Sequence, residues 1–271
     1  MNKLDLYNQR FGGIARLYGA KGLSQLFNSS ILVVGLGGVG SWAAESLARS
    51  GIGSITLVDL DDICITNTNR QSHAMSENYG KQKSLVLMER ILSINPDCQV
   101  RVIDDFFTEK TSDAILDSRF DYVIDAIDSL HNKCLLLSRC REKNIPLVVT
   151  GGAAGKTNPS LIQMGDLGES FNDSLLFRMR KKLRQDFDFP SASKSTPTKR
   201  QKFNAMCIFS PEEPLFPTKA GDVCHIPDEG SNLKMDCETG MGSVSHITAL
   251  FGFMAAGHIV NSLARKDSNK P

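Results

Sequence analysis

Ile31-Leu32-Val33-Val34-Gly35-Leu36-Gly37-Gly38-Val39-Gly40-Ser41-Trp42-Ala43-Ala44 is the stretch on which the fold turns. Four consecutive apolar residues followed at once by glycine describe a strand buried on both faces, as in a parallel sheet. Gly35, Gly37 and Gly40 supply a G-x-G-x-x-G pattern, with Gly38 a further glycine inside it. Such a run makes a tight turn and lets the backbone approach a ligand closely. From Ser41 to Ser50 the residues Trp42, Ala43, Leu47 and Ala48 predict a helix, and Gly51 is well placed to stop it. Ser54–Val58 then reads as a second strand ending at Asp59.

Working outward, the same alternation continues. A helix over Lys83–Ser93 must end before Asn95-Pro96, because proline lacks the N–H that a helix needs. Val100–Ile103, Tyr122–Ala126 and Leu147–Val149 read as three more strands, with a helix around Leu130–Lys143. Upstream, residues 1–27 are helical in part, broken at Phe11-Gly12-Gly13. The fold class is therefore α/β, a Rossmann-like, doubly wound and mainly parallel sheet. Two parts are expected on that one sheet. Residues 1–155 form a nucleotide-binding part with an N-terminal helical arm. Residues 156–271 form a C-terminal extension with a basic loop and a closing apolar helix. In that extension Arg178–Lys202 holds nine Lys/Arg against two Asp, with Pro, Ser and Thr interspersed, a composition that suggests a mobile basic loop. Thr239–Ala264 contains no Asp, Glu, Lys or Arg, yet its glycines, serines and histidines are polar for lipid. A buried helix at the core or at a subunit interface fits better than a membrane span.

Composition narrows the classes. With 31 basic and 30 acidic residues the net charge of the 271-residue chain is +1, so overall charge offers no argument for nucleic-acid binding, and no DNA partner is expected. The seven cysteines (Cys64, Cys98, Cys134, Cys140, Cys207, Cys224, Cys237) are odd in number and contain no C-x-x-C. With no secretory leader recognisable before residue 30, a cytoplasmic protein is expected rather than a disulfide scaffold or a paired-cysteine zinc site. Cys207, Cys224 and Cys237 are read as small hydrophobes, with Cys237 the exception if there is one. His225, His246 and His258 lack ligand spacing and are read as structural.

The glycine loop opens a helix whose free N–H groups and dipole suit a phosphate. Asp59, 19 residues beyond Gly40, stands where a ribose-binding carboxylate belongs. The next residues are unlike a dinucleotide enzyme: Asp61, Asp62, Asn67, Arg70 and Gln71, then Lys83 at the next helix. Cations beside a nucleotide suit a triphosphate, where they offset charge developing on a leaving pyrophosphate. Asp125 and Asp128 end the fourth strand, where a pair of carboxylates suits Mg²⁺. Asp128-Ser129 can equally cap the following helix.

Gly35–Gly40, Asp59-Leu60-Asp61, Asn67–Gln71, Lys83 and Asp128 together resemble the ThiF/MoeB/HesA family, relatives of the ubiquitin-activating enzymes that adenylate carboxylates. The resemblance implies Asp59 at the ATP ribose, Asn67, Arg70 and Lys83 at the phosphates, and Gln71 and Asp61 in the same ATP pocket. It further implies Arg70, Lys83 and Asp128 as the catalytic set, and Asp128 as the Mg²⁺ ligand. It also implies a homodimer in which an N-terminal arginine, Arg10 or Arg16, completes the other subunit's site. Gln9–Gly19, Gly40–Glu45, Thr66–Gln71, Asp125–Ser129 and the segment from Gly240 more narrowly resemble the family's tRNA-modifying branch. That branch implies ATP-driven cyclisation of threonylcarbamoyladenosine beside the anticodon, a cysteine-desulfurase partner system, and a monovalent cation such as K⁺. Its polyanionic substrate would follow Arg178, Arg180, Lys181, Lys182, Arg184, Lys194, Lys199, Arg200 and Lys202. An intramolecular nucleophile needs no catalytic cysteine. The missing C-x-x-C pairs separate the chain from carrier-protein-activating members, the main alternative. An NAD oxidoreductase and a nucleotide-sensing tRNA binder are the others.

Overall fold

The computed structural model describes residues 3–190, 202–226 and 241–266. An N-terminal arm of two helices, α1 (Lys3–Arg10) and α2 (Gly12–Phe27), breaks at Phe11, as the glycines there predict. The alternating core comes next: β1 (Ser30–Val34), α3 (Gly40–Arg49), β2 (Ser54–Val58), α4 (Lys83–Ile94), β3 (Gln99–Ile103), the short α5 (Ser112–Ile115), β4 (Tyr122–Asp125), α6 (Leu130–Glu142) and β5 (Leu147–Thr150). Beyond it lie β6 (Gln163–Asp166), α7 (Ser174–Asp186), β7 (Met206–Phe209), a small hairpin of β8 (Phe216–Pro217) and β9 (Val223–Cys224), and α8 (Ser245–Ala264).

The seven-stranded sheet runs β3-β2-β1-β4-β5-β7-β6, parallel except for the edge pair β6–β7. Strand order reverses between β1 and β4, which opens a crevice outside their carboxyl ends. The pleat divides the continuous apolar run of β1 between two cores, successive side chains pointing to opposite faces. Ile31 and Val33 point into a core shared with α3 and α8, while Leu32 and Val34 point into the opposite core under α6 and α7.

α8 is long and apolar enough by length and composition to cross a membrane. Here Ile247, Phe251, Ala255, Ile259 and Leu263 are buried, and the helix packs on α3 and α2. A Cβ at Gly252 would stand 2.6 Å from the Val39 carbonyl oxygen, so glycine lets α8 press onto the start of α3. This is the buried core helix expected from the sequence.

One expectation needs correction. Arg178–Lys202 is not a loop throughout, because Ser174–Asp186 is helical. Asp173 caps it by accepting from the Leu176 N–H at 2.9 Å, and Leu176, Met179 and Leu183 bury a stripe beside α6. The charges occupy the other faces, so composition masks a helical period.

Candidate active site

The nucleotide residues gather at the carboxyl ends of β2, β1 and β4 and on the segment joining β2 to α4. Gly35 has φ +87°, and a Cβ there would lie 2.6 Å from the Ala126 carbonyl oxygen. A Cβ at Gly40 would collide with the Gly35 carbonyl. The turn therefore admits glycine alone at both places. The N–H groups of Gly38, Val39 and Gly40 have no hydrogen-bond partner among the described residues. They offer the start of α3 to an anion.

Asp59 is buried beside this loop. One of its oxygens accepts from the Leu36 N–H at 2.6 Å and the other from the Asp61 N–H at 2.9 Å. Burial pushes its carboxyl above the ordinary range, against the pull of Lys83 and these two donors. Lys83, its side chain 8% exposed, is held at 2.7 Å by Asp61, which is 54% exposed. Asn67 accepts from the Cys64 N–H at 2.9 Å and so shapes the turn carrying Arg70. The Arg70 guanidinium donates to the Thr66 carbonyl and the Asn69 amide oxygen at 2.8 and 3.0 Å. Its carbonyl accepts from the Trp42 indole at 3.0 Å, and its Cγ would lie 3.4 Å from a Cβ on Gly38. Gln71 approaches the loop at Gly37, and its Oε1 is buried with no partner among the described residues. An orphaned acceptor beside unsatisfied N–H groups fits a polar ligand that brings its own donors and phosphates.

The pair of carboxylates expected at the end of β4 is not available as a pair. Asp125 is fully buried and its Oδ1 is 3.0 Å from Lys133 Nζ, itself fully buried. Asp128 is exposed and its carboxylate has no partner among the described residues. Ser129 occupies the cap position of α6 without a side-chain cap bond. Among the described residues no group of three or more His, Cys, Asp or Glu converges for a metal. A hard cation here would use Asp128 together with phosphate oxygens and water. Arg10 lies 3.8 Å from Asp97, just before β3 and therefore at the amino ends of the strands. Arg16 is exposed on α2. Neither is brought to the site within its own chain.

Residues 10–271 match the ThiF family model. The chain belongs to the ThiF family. It is 46% identical to the tRNA threonylcarbamoyladenosine dehydratase of Escherichia coli over 97% of this chain and 96% of that one. The crystal structure of the E. coli tRNA N6-threonylcarbamoyladenosine dehydratase TcdA in complex with ATP superposes with a TM-score of 0.84 at 42% identity, covering 98% of each chain. The E. coli sulfur carrier protein ThiS adenylyltransferase is 35% identical, but over 49% of this chain and 53% of its own.

Two residues of this ThiF-family site carry no motif of their own. Lys133 donates to the Ile127 carbonyl at 3.0 Å as well as pairing with Asp125, so it braces the turn that presents Asp128. Its signal in the sequence is a lysine beside Cys134-Leu135-Leu136-Leu137, a cation in an apolar run that requires a partner. His73 is fully buried, and its Nε2 donates to the Leu36 carbonyl at 3.0 Å. Burial pulls it down to about 4, so it is neutral near pH 7. Leu36 is thus held on both sides, its N–H by Asp59 and its carbonyl by His73.

The basic residues divide sharply. Arg180 donates to Ser170 and Leu167, and Lys182 pairs with Asp186 at 2.6 Å. Arg184 lies over Phe203, which stacks on Phe189, whose other neighbour is Arg141. Arg178 and Lys181 are exposed on the outer face of α7, and Lys202 is exposed before β7. Lys194, Lys199 and Arg200 lie outside the described residues, as does Cys237. Cys207 is buried, its thiol pushed up to about 12 by burial, whereas Cys224 is half-buried. His225 and His246 bond backbone carbonyls, and His258 packs edge-on against Tyr122.

Proposed function

We propose that this chain is an ATP-dependent tRNA-modifying enzyme that converts threonylcarbamoyladenosine to its cyclic, hydantoin-type form. The observation that carries the reading is coverage. The tRNA-acting relative aligns over 97% of the chain, whereas the carrier-activating relative aligns over about half of it.

The residues support a two-step course. The N–H groups of Gly38, Val39 and Gly40 and the cations Arg70 and Lys83 receive the ATP phosphates, with Asn67 and Gln71 lining the same pocket. Asp59 and Asp61 flank the ribose. A threonine carboxylate oxygen attacks the α-phosphorus and pyrophosphate leaves, its charge met by Arg70 and Lys83. A nucleophilic atom of the same modified base then attacks the acyl carbon. AMP departs with the carboxylate oxygen and a proton is released. The ring closes within one molecule, where effective molarity reaches about 10⁵ M or more. Asp128 would hold Mg²⁺, which supplies charge neutralisation on the phosphates. Arg178, Lys181 and Lys202 track the RNA backbone. A homodimer and a cytoplasmic location belong to the same reading, with Arg10 or Arg16 of a second copy closing each site.

Incubation with ATP, Mg²⁺ and tRNA carrying threonylcarbamoyladenosine should give tRNA lighter by one water, with stoichiometric AMP. ATP–pyrophosphate exchange stimulated by a small protein ending in Gly-Gly, and not by tRNA, would replace this reading with carrier activation.

A further inference from the structure

Phe177 is the most conspicuous apolar side chain on α7, 61% exposed one turn into the helix. The stripe that anchors α7 is complete without it, since Leu176, Met179 and Leu183 already face the core. Its exposed neighbours on the outer face are Ser174, Arg178, Lys181 and Gln185. Lys181 stands one turn on from Phe177 and Arg178 about 100° round the helix on that same side, so two cations with no partner among the described residues lie to one side of the ring. A third cation lies behind it. The Arg180 guanidinium is 5.9 Å from the ring centroid, and its bonds to Ser170 and Leu167 fix it there. An aromatic ring braced by one held cation, with two uncommitted ones to one side, suits a π-system attached to phosphates. It suits an apolar protein surface poorly, because that surface would have to desolvate both charges.

Its place in the fold agrees. Asp173, the cap of α7, also accepts from the Gly152 N–H at 2.9 Å, just past the carboxyl end of β5. β5 is the neighbour of β4, whose end carries Asp128. The first turn of α7, which carries Phe177, is therefore tethered at the carboxyl edge of the sheet, the edge that holds the proposed site.

We propose that Phe177 is a stacking platform for an unstacked base of the RNA substrate, with Arg178 and Lys181 engaging the adjoining phosphates. The inference rests on the tRNA reading and adds a contact to a base where that reading has only contacts to backbone. Recognition of single-stranded RNA loops depends on such stacking, whereas duplex RNA offers its backbone and groove.

The test compares wild type, Phe177→Ala, Phe177→Trp and Arg178→Gln/Lys181→Gln for tRNA affinity over a salt series, with a plain RNA duplex alongside. Phe177→Ala should weaken tRNA binding about 5- to 100-fold, with an unchanged salt slope, unchanged ATP affinity and unchanged duplex binding. Phe177→Trp should bind as wild type or tighter. The double glutamine variant should instead lower the salt slope by about 1.5. Phe177→Ala binding tRNA as wild type overturns the stacking proposal and leaves the tRNA reading standing. Equal weakening toward tRNA and duplex also overturns it, because the contact is then not to an unstacked base. A changed solution mass of Phe177→Ala at unaltered tRNA affinity overturns it in favour of a protein contact. Failure of the wild type to bind tRNA overturns both readings.

Discussion

The nucleotide cradle and the outer face of α7 are built on opposite plans. In the cradle the buried charged side chains are already spoken for, Asp59 by two peptide N–H groups, Lys83 by Asp61 and Asp125 by Lys133, and the Leu36 carbonyl is held by His73. On α7 the groups that face solvent, Phe177, Arg178 and Lys181, are held by nothing among the described residues except the Arg180 stack. A ligand of invariant shape rewards groups fixed before it arrives, because no ordering cost remains at binding. A long, flexible polyanion is held by many weak contacts, each of which can be adjusted. Substitutions should therefore be costly and localised in the first region, and mild and distributed in the second.

The largest effect should come from Lys133→Met. It strands a buried carboxylate and should destabilise the fold by about 3–5 kcal/mol in urea unfolding. A loss under about 1 kcal/mol would mean that Asp125 is neutral in the folded protein and that the cradle is not strictly paired. Next is Arg70→Ala, expected to slow adenylation about 10²- to 10³-fold at unchanged melting temperature, as measured by pyrophosphate release. Asp128→Ala should behave alike, and near-wild-type turnover in both would remove the end of β4 and the Arg70 turn from the chemistry.

His73 gives a prediction in pH. Its folded pKa of about 4 lies below its ordinary value of 6.5. Between those values the unfolded chain takes up a proton that the folded chain refuses, so stability falls as pH drops through that window. The loss from this residue approaches about 3 kcal/mol near pH 4. His73→Gln, which can still donate to Leu36, should flatten that part of the profile. Parallel profiles for the two proteins would show that His73 is not the group responsible. The smallest effects belong to α7. Arg178→Gln or Lys181→Gln alone should weaken tRNA binding only a few-fold, each with a proportionate drop in salt slope. A hundredfold loss from either one would make α7 a second fixed site and erase the contrast.

How much of the molecule is legible in its sequence depends on the range of each interaction. β1, the glycine turn and α3 are local: alternation, positive φ and helix initiation are written in adjacent residues. So are Asp59 at a strand end and the Asn67–Gln71 turn. Lys133 and His73 escape a reading of the sequence because they act through partners that the chain brings up only on folding, His73 across 37 positions. β6 and β7 are four-residue strands, and β6 on the sheet edge lacks an apolar pattern, so neither announces itself. α7 is obscured by its own charge. Arg10 and Arg16 stay unassigned between them because neither reaches the site within its own chain.

The pairing of Asp125 with Lys133 has a consequence for how the molecule looks from solution. Counted along the sequence, five aspartates crowd the carboxyl rim of the sheet: Asp59, Asp61, Asp62, Asp125 and Asp128. Such a rim would repel both a triphosphate and an RNA. Two of the five are cancelled by lysines within ion-pair distance, and Asp59 is turned inward onto backbone donors. Two negative charges then face the approaching polyanions in place of five. Most of the acidity of the site is internal wiring, invisible at a Debye length of about 8 Å.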